Sequence, residues 1–363
     1  MHIPDGYLSP STCAVLYAAA AGGWRLAFKR VKQRLFTRAV PLISVFAAFS
    51  FVLMMFNLPL PGGTTGHAVG AAIAAIVIGP WGAILAISIA LALQALFFGD
   101  GGITTLGANC VNMAMVGSLA AYWAYRLLSG ASRWDSRRRV WAAAVAGYVS
   151  INAAALLAAI EFGIQPLLFH DAKGVPLYAP YPLRIAIPAM MLGHLTLAGL
   201  AEAVIAGGMV SYLQRAKPAL LHLGFAEGNG VPGAPAFGAL GRNGEALPGG
   251  GIRVTVSLCS FWFAIALLLL LTPLGILAAG TAWGEWSPAE LARRSGLSQG
   301  VPSGMQRLTA LWTAPFPGYA PAFVKSAAFG YLLSAMFGVG AIVMLWLLSS
   351  YLSRSLAERA PRP

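Results

Sequence analysis

Charge is what this sequence has least of. Only 10% of its 363 residues are charged, while 58% are hydrophobic. Soluble domains carry roughly 25% charged residues, so an ordinary soluble enzyme or binding module is excluded. A mean hydropathy of +0.73 points the same way, to a polytopic membrane protein. Acidic residues are scarcer still: 11 against 24 Lys and Arg, for a net charge of +13. The excess does not signal nucleic acid, because the basic residues sit in short clusters between long apolar runs. Cysteine is nearly absent. Cys13, Cys110 and Cys259 lie far apart in apolar stretches, with no CxxC or other metal spacing. There is no GxxxxGK[ST], so the chain has no phosphate loop with which to hydrolyse ATP. There is no HExxH and no cluster of acid, base and nucleophile, so neither catalytic residues nor an organic cofactor are expected. No Lys or Arg precedes the first apolar run, so that run is expected to insert uncleaved, with its N-terminus outside.

What is present is a series of apolar stretches near the 20 or so residues that a membrane-crossing helix needs. They fall at about 11–28, 40–58, 67–79, 81–98, 103–128, 140–164, 183–213, 252–279 and 327–352. The third is short and ends at Gly79-Pro80, so it is either a tilted half-helix or part of the fourth. The expected fold is an all-α integral membrane protein, a seven-helix substrate-binding bundle plus two further transmembrane helices. Starting outside, nine spans place the C-terminus in the cytoplasm. Eighteen of the 24 basic residues then fall inside, from the Arg25–Arg38 cluster to Arg362, and six outside, as the positive-inside rule asks. A Gly-, Pro- and Ala-rich stretch divides the chain into a domain at 1–217, a flexible cytoplasmic linker at 218–251 and a two-helix block at 252–363. An outer loop at about 280–326 belongs to the second block.

The opening residues Met1-His2-Ile3-Pro4-Asp5-Gly6 carry chemistry. His2 is too large for methionine removal, so Met1 is expected to keep a free amine. That amine, the His2 backbone nitrogen and the His2 imidazole can close a five- and a six-membered chelate ring on one metal ion. Three coplanar nitrogens suit Ni²⁺ or Cu²⁺, with Co²⁺ less naturally planar. Zn²⁺ prefers a tetrahedron and Ca²⁺ or Mg²⁺ prefer oxygen. The fourth position can be filled by His67, which stands in Pro61-Gly62-Gly63-Thr64-Thr65-Gly66-His67 on the same side of the membrane as Met1. Thr64 or Thr65 could orient its imidazole. Asn109 and Asn112, after the glycine-rich turn at 99–102, could hydrogen-bond the metal loop or another helix. Spacing alone also allows a frayed His2 and a His67 that merely caps a helix.

These residues carry a resemblance. MHIPDGYLSP, PLPGGTTGHAVG and FFGDGGITTLGANCVNMA resemble motifs of the CbiM/NikM family, the substrate-binding membrane components of energy-coupling-factor nickel and cobalt transporters. The likeness covers about residues 1–217. The second block, with TPLGILAAGTAWGEW, is similar to the small two-span accessory component, here fused in a NikMN-type arrangement. The resemblance implies Ni²⁺ or Co²⁺ as transported substrate. It implies as ligands the Met1 amine, the His2 amide and imidazole, and His67. It further implies a transmembrane coupling protein and ATP-binding cassette ATPases as partners, in a bacterial cytoplasmic membrane. A small-residue stripe on the first span, Ala14, Ala18 and Gly22, is a candidate docking surface for the coupling protein. The competing reading is a proton-coupled secondary transporter using His194 and Glu202, which lie eight residues and about 80° apart on one span.

Overall fold

The computed structural model describes residues 1–32, 36–60, 63–223, 259–278, 280–295 and 300–359. Most of the expected linker therefore lies outside the described residues. Helices dominate. The first block runs α1 (Pro10–Lys32), α2 (Phe36–Met54), α3 (Ala71–Leu93), α4 (Leu106–Asn109), α5 (Ser118–Ser129), α6 (Arg137–Leu168), α7 (Leu183–Gly193), α8 (Gly199–Ala216) and α9 (Pro218–Leu223). The second contributes α10 (Cys259–Leu271), α11 (Pro288–Ser295), α12 (Ser303–Thr309) and α13 (Ala327–Arg359). Among the described residues, four apolar segments have the length and composition to cross a membrane: Ala71–Phe98, Arg137–Leu168, Leu183–Ala216 and Ala327–Leu352. Pro41–Met54 and Trp262–Leu277 are shorter and apolar. The first six residues of the expected linker are a helix, not a flexible coil: Pro218 suits a first helical turn, and Leu220 and Leu221 are buried.

The core is built from small residues. Ala142, Ala143, Ala146, Ala154, Ala155 and Ala158 are buried along α6, which lets neighbouring helices approach closely. The larger core side chains, among them Tyr7, Phe51, Phe98 and Phe162, gather toward the end of the bundle where the chain begins.

The segment Ala71–Phe98 decides how the chain is threaded. It continues from α3 through a π-helical turn, Gln94–Phe98, but is broken at Gly79, whose φ of 76° and ψ of 164° are not helical; Pro80 follows. A straight helix of this length would run about 42 Å. Yet His67 before it and Asp100 after it both touch His2. The chain must double back at Gly79-Pro80, so this stretch is two antiparallel half-segments. A glycine is required at the reversal because the positive φ suits few other residues.

Between α2 and α3 the chain forms a small antiparallel hairpin, β1 (Leu58–Leu60) and β2 (Thr64–Gly66), with Leu58 opposite Gly66. It delivers His67 to the site. The only sheet among the described residues, it was not anticipated from the apolar pattern, since three-residue strands leave no periodicity to read.

Candidate metal site

The amino terminus is buried. Met1 is 3% exposed and His2 1%, and Ile3 is wholly buried. A charged, polar end is costly to bury without partners; the Met1 ammonium and the His2 and Ile3 N–H groups each have one, while His2 Nε2 has none. Ile3 N–H donates to Asn109 Oδ1 at 2.8 Å, while Asn109 Nδ2 donates back to the Ile3 carbonyl at 3.1 Å. Gly102 N–H reaches the same carbonyl at 2.9 Å, and Thr105 Oγ1 donates to it as well. Asp5 accepts from Thr104 N at 2.7 Å and Ile103 N at 3.2 Å, tying the terminus to the loop before α4. Gly102 must be glycine there: a Cβ would come within 2.3 Å of the Asp5 nitrogen. Tyr7 clamps the next turn, donating to the Trp286 carbonyl at 2.8 Å and packing edge-on against Phe162.

His67 meets His2 inside this fold. His67 Nε2 lies 3.2 Å from His2 Nδ1, with ring centroids 4.9 Å apart. His67 Nδ1 lies 3.1 Å from the Ala68 carbonyl, leaving Nε2 directed at the terminus. The next residues are fixed from below by Glu202 of α8, whose Oε2 accepts from Val69 N at 2.7 Å and Gly70 N at 3.0 Å. This is how α3 starts without a cap of its own.

Two carboxylates complete the pocket. Glu285 Oε1 accepts from the Met1 ammonium at 2.7 Å and from His2 N–H at 2.8 Å. Asp100 Oδ1 lies 3.1 Å from His2 Nδ1. The second Asp100 oxygen is held by Tyr319 OH at 2.6 Å and Gln94 Nε2 at 3.3 Å. Tyr319 itself stacks on Phe98 at 4.7 Å. Glu285 and Tyr319 come from the loop between α10 and α13 of the second block, so the pocket is made by both blocks.

Burial sets the protonation. It lowers both imidazoles to about 4, His2 by burial foremost and His67 by burial and then by His2. Both rings are therefore neutral near pH 7, the form that binds metal. Burial, and next the Glu285 charge, pushes Asp100 up to about 6. Burial alone would raise Glu285 too, but the Met1 ammonium and His2 outweigh it and hold its carboxyl below the usual range.

The remaining candidates separate. Asn109 holds the backbone of the terminus. Asn112 points elsewhere and donates to Glu161 Oε2 at 2.8 Å. Thr64 does not orient His67; its hydroxyl donates to the Thr281 carbonyl at 3.0 Å, joining the two blocks. Thr65 is buried in β2. His194 and Glu202 engage backbone, His194 Nδ1 lying 2.8 Å from the Met190 carbonyl. Asp100 and Glu285 lie within the motifs FFGDGGITTLGANCVNMA and TPLGILAAGTAWGEW, which by themselves assign neither a role. Their signal was rarity, two of eleven acidic residues, both next to glycine in apolar surroundings.

Comparison with known proteins agrees with this architecture. Residues 2–220 match the family described as cobalt uptake substrate-specific transmembrane region, CbiM. Residues 258–355 match the PDGLE domain. The fused nickel transport protein NikMN of Rhodobacter capsulatus is 51% identical, covering 99% of this chain and 100% of that protein. The probable fused nickel transport protein LarMN of Lactiplantibacillus plantarum is 40% identical, covering 95% and 96%. A crystal structure described as a transition metal transporter shares 53% identity over 59% of this chain and 93% of that one, with a TM-score of 0.56. Both relatives are named as nickel transport proteins. Matched in this way from end to end, the chain belongs to the CbiM/NikM family of substrate-specific transmembrane transport components, with a NikN-like block fused behind it.

Proposed function

We propose that the chain is the substrate-capturing membrane subunit of an energy-coupling-factor importer for Ni²⁺ or Co²⁺. The ion is seated by four nitrogens: the Met1 amine, the His2 amide nitrogen, His2 Nδ1 and His67 Nε2. The single observation that carries this is the 3.2 Å approach of His67 Nε2 to His2 Nδ1 within the pocket that buries the Met1 amine. Closing the chelate releases one proton from the ammonium and one from the amide, so capture weakens in acid. Such a planar nitrogen set suits Ni²⁺ best, and the relatives named for nickel and for cobalt leave both metals as substrates.

The seat lies at the end of the bundle opposite the basic Arg133–Arg139 and Arg215 region, which by the positive-inside rule faces the cytoplasm. The ion is therefore taken from outside. Having no phosphate loop, the subunit depends on a transmembrane coupling protein and ATP-binding cassette ATPases, and 1–217 and 252–363 act as metal-binding and accessory domains. Ala14, Ala18 and Gly22 are exposed on α1, and a Cβ on Gly22 would meet nothing within 4 Å. That stripe is the surface offered to the coupling protein. Against a proton-coupled carrier stands the engagement of both His194 and Glu202 with backbone.

Reconstitution in liposomes tests the whole reading. Nickel uptake is expected only with the partner subunits and ATP. Uptake by the chain alone, driven by a proton gradient, would establish the carrier instead.

A further inference from the structure

The four proposed nitrogen ligands are buried and, apart from the Met1 ammonium, uncharged. Those nitrogens alone have nothing with which to attract a hydrated dication, and an ammonium repels one. The two carboxylates beside them are different. Asp100 and Glu285 side chains are 18% and 16% exposed, against 1% for Met1 and His2. One ligand atom from each of Asp100, Glu285 and His2 can be chosen so that all lie within 4.8 Å of one another. Ligand bonds to a divalent transition metal are about 2.0–2.2 Å for oxygen or imidazole nitrogen, so opposed ligands stand about 4 Å apart and one ion fits among the three.

Both carboxylates are pre-set for this. Tyr319 and Gln94 occupy one oxygen of Asp100 and leave the other turned to the His2 ring. Glu285 rests an oxygen on the Met1 and His2 nitrogens, the two atoms that must exchange a proton for the metal. An ion held by this oxygen is already adjacent to the seat.

We propose that Asp100 and Glu285, with the His2 imidazole, form a landing site that takes a divalent transition-metal cation from solvent in mixed oxygen and nitrogen coordination and passes it inward to the four-nitrogen seat. The proposal rests on the nitrogen seat described above. It assigns the fused block a part in capture: its loop supplies one of the two carboxylates. Asp100 and Glu285 act before the seat closes, so their removal slows loading more than it alters the loaded state.

The test is stopped-flow mixing of the full chain with Ni²⁺ alone, following the visible absorption of planar nitrogen-bound nickel. Glu285→Gln and Asp100→Asn are each expected to slow association by about tenfold, the lower end of what charge steering supplies, and to flatten its dependence on ionic strength. The final spectrum should stay that of the unmodified protein, and Glu285→Asp, which keeps the charge, should recover the ionic-strength dependence. Association at an unchanged rate overturns the landing site. So does faster association, which would make Glu285 a latch, and so does a lost spectrum, which would make it part of the seat. If the unmodified protein never develops the planar-nitrogen absorption, the nitrogen seat itself fails, and that outcome is distinct from the others.

Discussion

The two blocks bury themselves in opposite ways. In the first, the apolar windows of Ala71–Phe98, Arg137–Leu168 and Leu183–Ala216 are 72%, 56% and 39% buried; in the second, that of Ala327–Leu352 is 28% buried. The second block's loop reverses the pattern: Trp286, Leu291, Met305 and Tyr319 are buried, Tyr7 donates to the Trp286 carbonyl, Tyr319 to Asp100, and the amino terminus to Glu285. The accessory helices thus lie at the margin of the bundle while the loop between them closes over its functional end. The second block is attached both through this loop and through α13, where Phe337 packs on Phe97 and Tyr331 OH donates to the Met55 carbonyl.

The comparison can be broken most severely at the terminus. Inserting one Ala between Met1 and His2 moves the imidazole to third position, where the terminus alone supplies four nitrogens and displaces His67. Nickel uptake by cells carrying the partner subunits should be abolished; near-normal uptake would mean that the first block does not hold the metal through its second residue. A smaller effect is expected from His67→Ala, which opens the fourth position. Calorimetry should show binding weakened by about tenfold or more, in the range seen when metal sites lose a supporting group, and an unchanged affinity would remove His67 from the seat.

The mildest perturbation is pH. Burial holds both imidazoles near 4, against 6.5 when exposed. The unfolded chain therefore takes up these protons first, so stability is lost as pH falls from about 6.5 toward 4. The melting temperature of the metal-free protein in detergent should fall between pH 7 and pH 5, and a flat profile would show that the histidines are not buried neutral. Loss of tertiary order in the loop before that in the helices would sharpen the contrast between blocks.

Much of this was legible in the sequence, for identifiable reasons. Helices announce themselves by apolar length, and the opening MHIPDG suggests the proposed chelate because its donors are adjacent in the chain. His67 joins that proposal because the order of spans returns it to the side of the membrane that holds Met1. Glu285 could not be added, because it lies 283 residues from His2 and only tertiary contact reveals the pair. Glu202 was open to reading as a proton relay with His194; the structure instead turns its carboxylate to the amides that begin α3. Position after the glycine-rich turn leaves Asn112 two partners, the metal loop or another helix. Three residues of helix past Asn109 are enough to point it at α6.

The ion pair between Met1 and Glu285 crosses from one block to the other. Made as two separate polypeptides, the blocks would close over the terminus only as often as their concentrations allowed them to meet. Joined in one chain, the loop is always present at high effective concentration. Covalent fusion therefore turns closure of the pocket from a matter of stoichiometry into a property of the folded molecule, the same in a cell that makes little of the protein as in one that makes much.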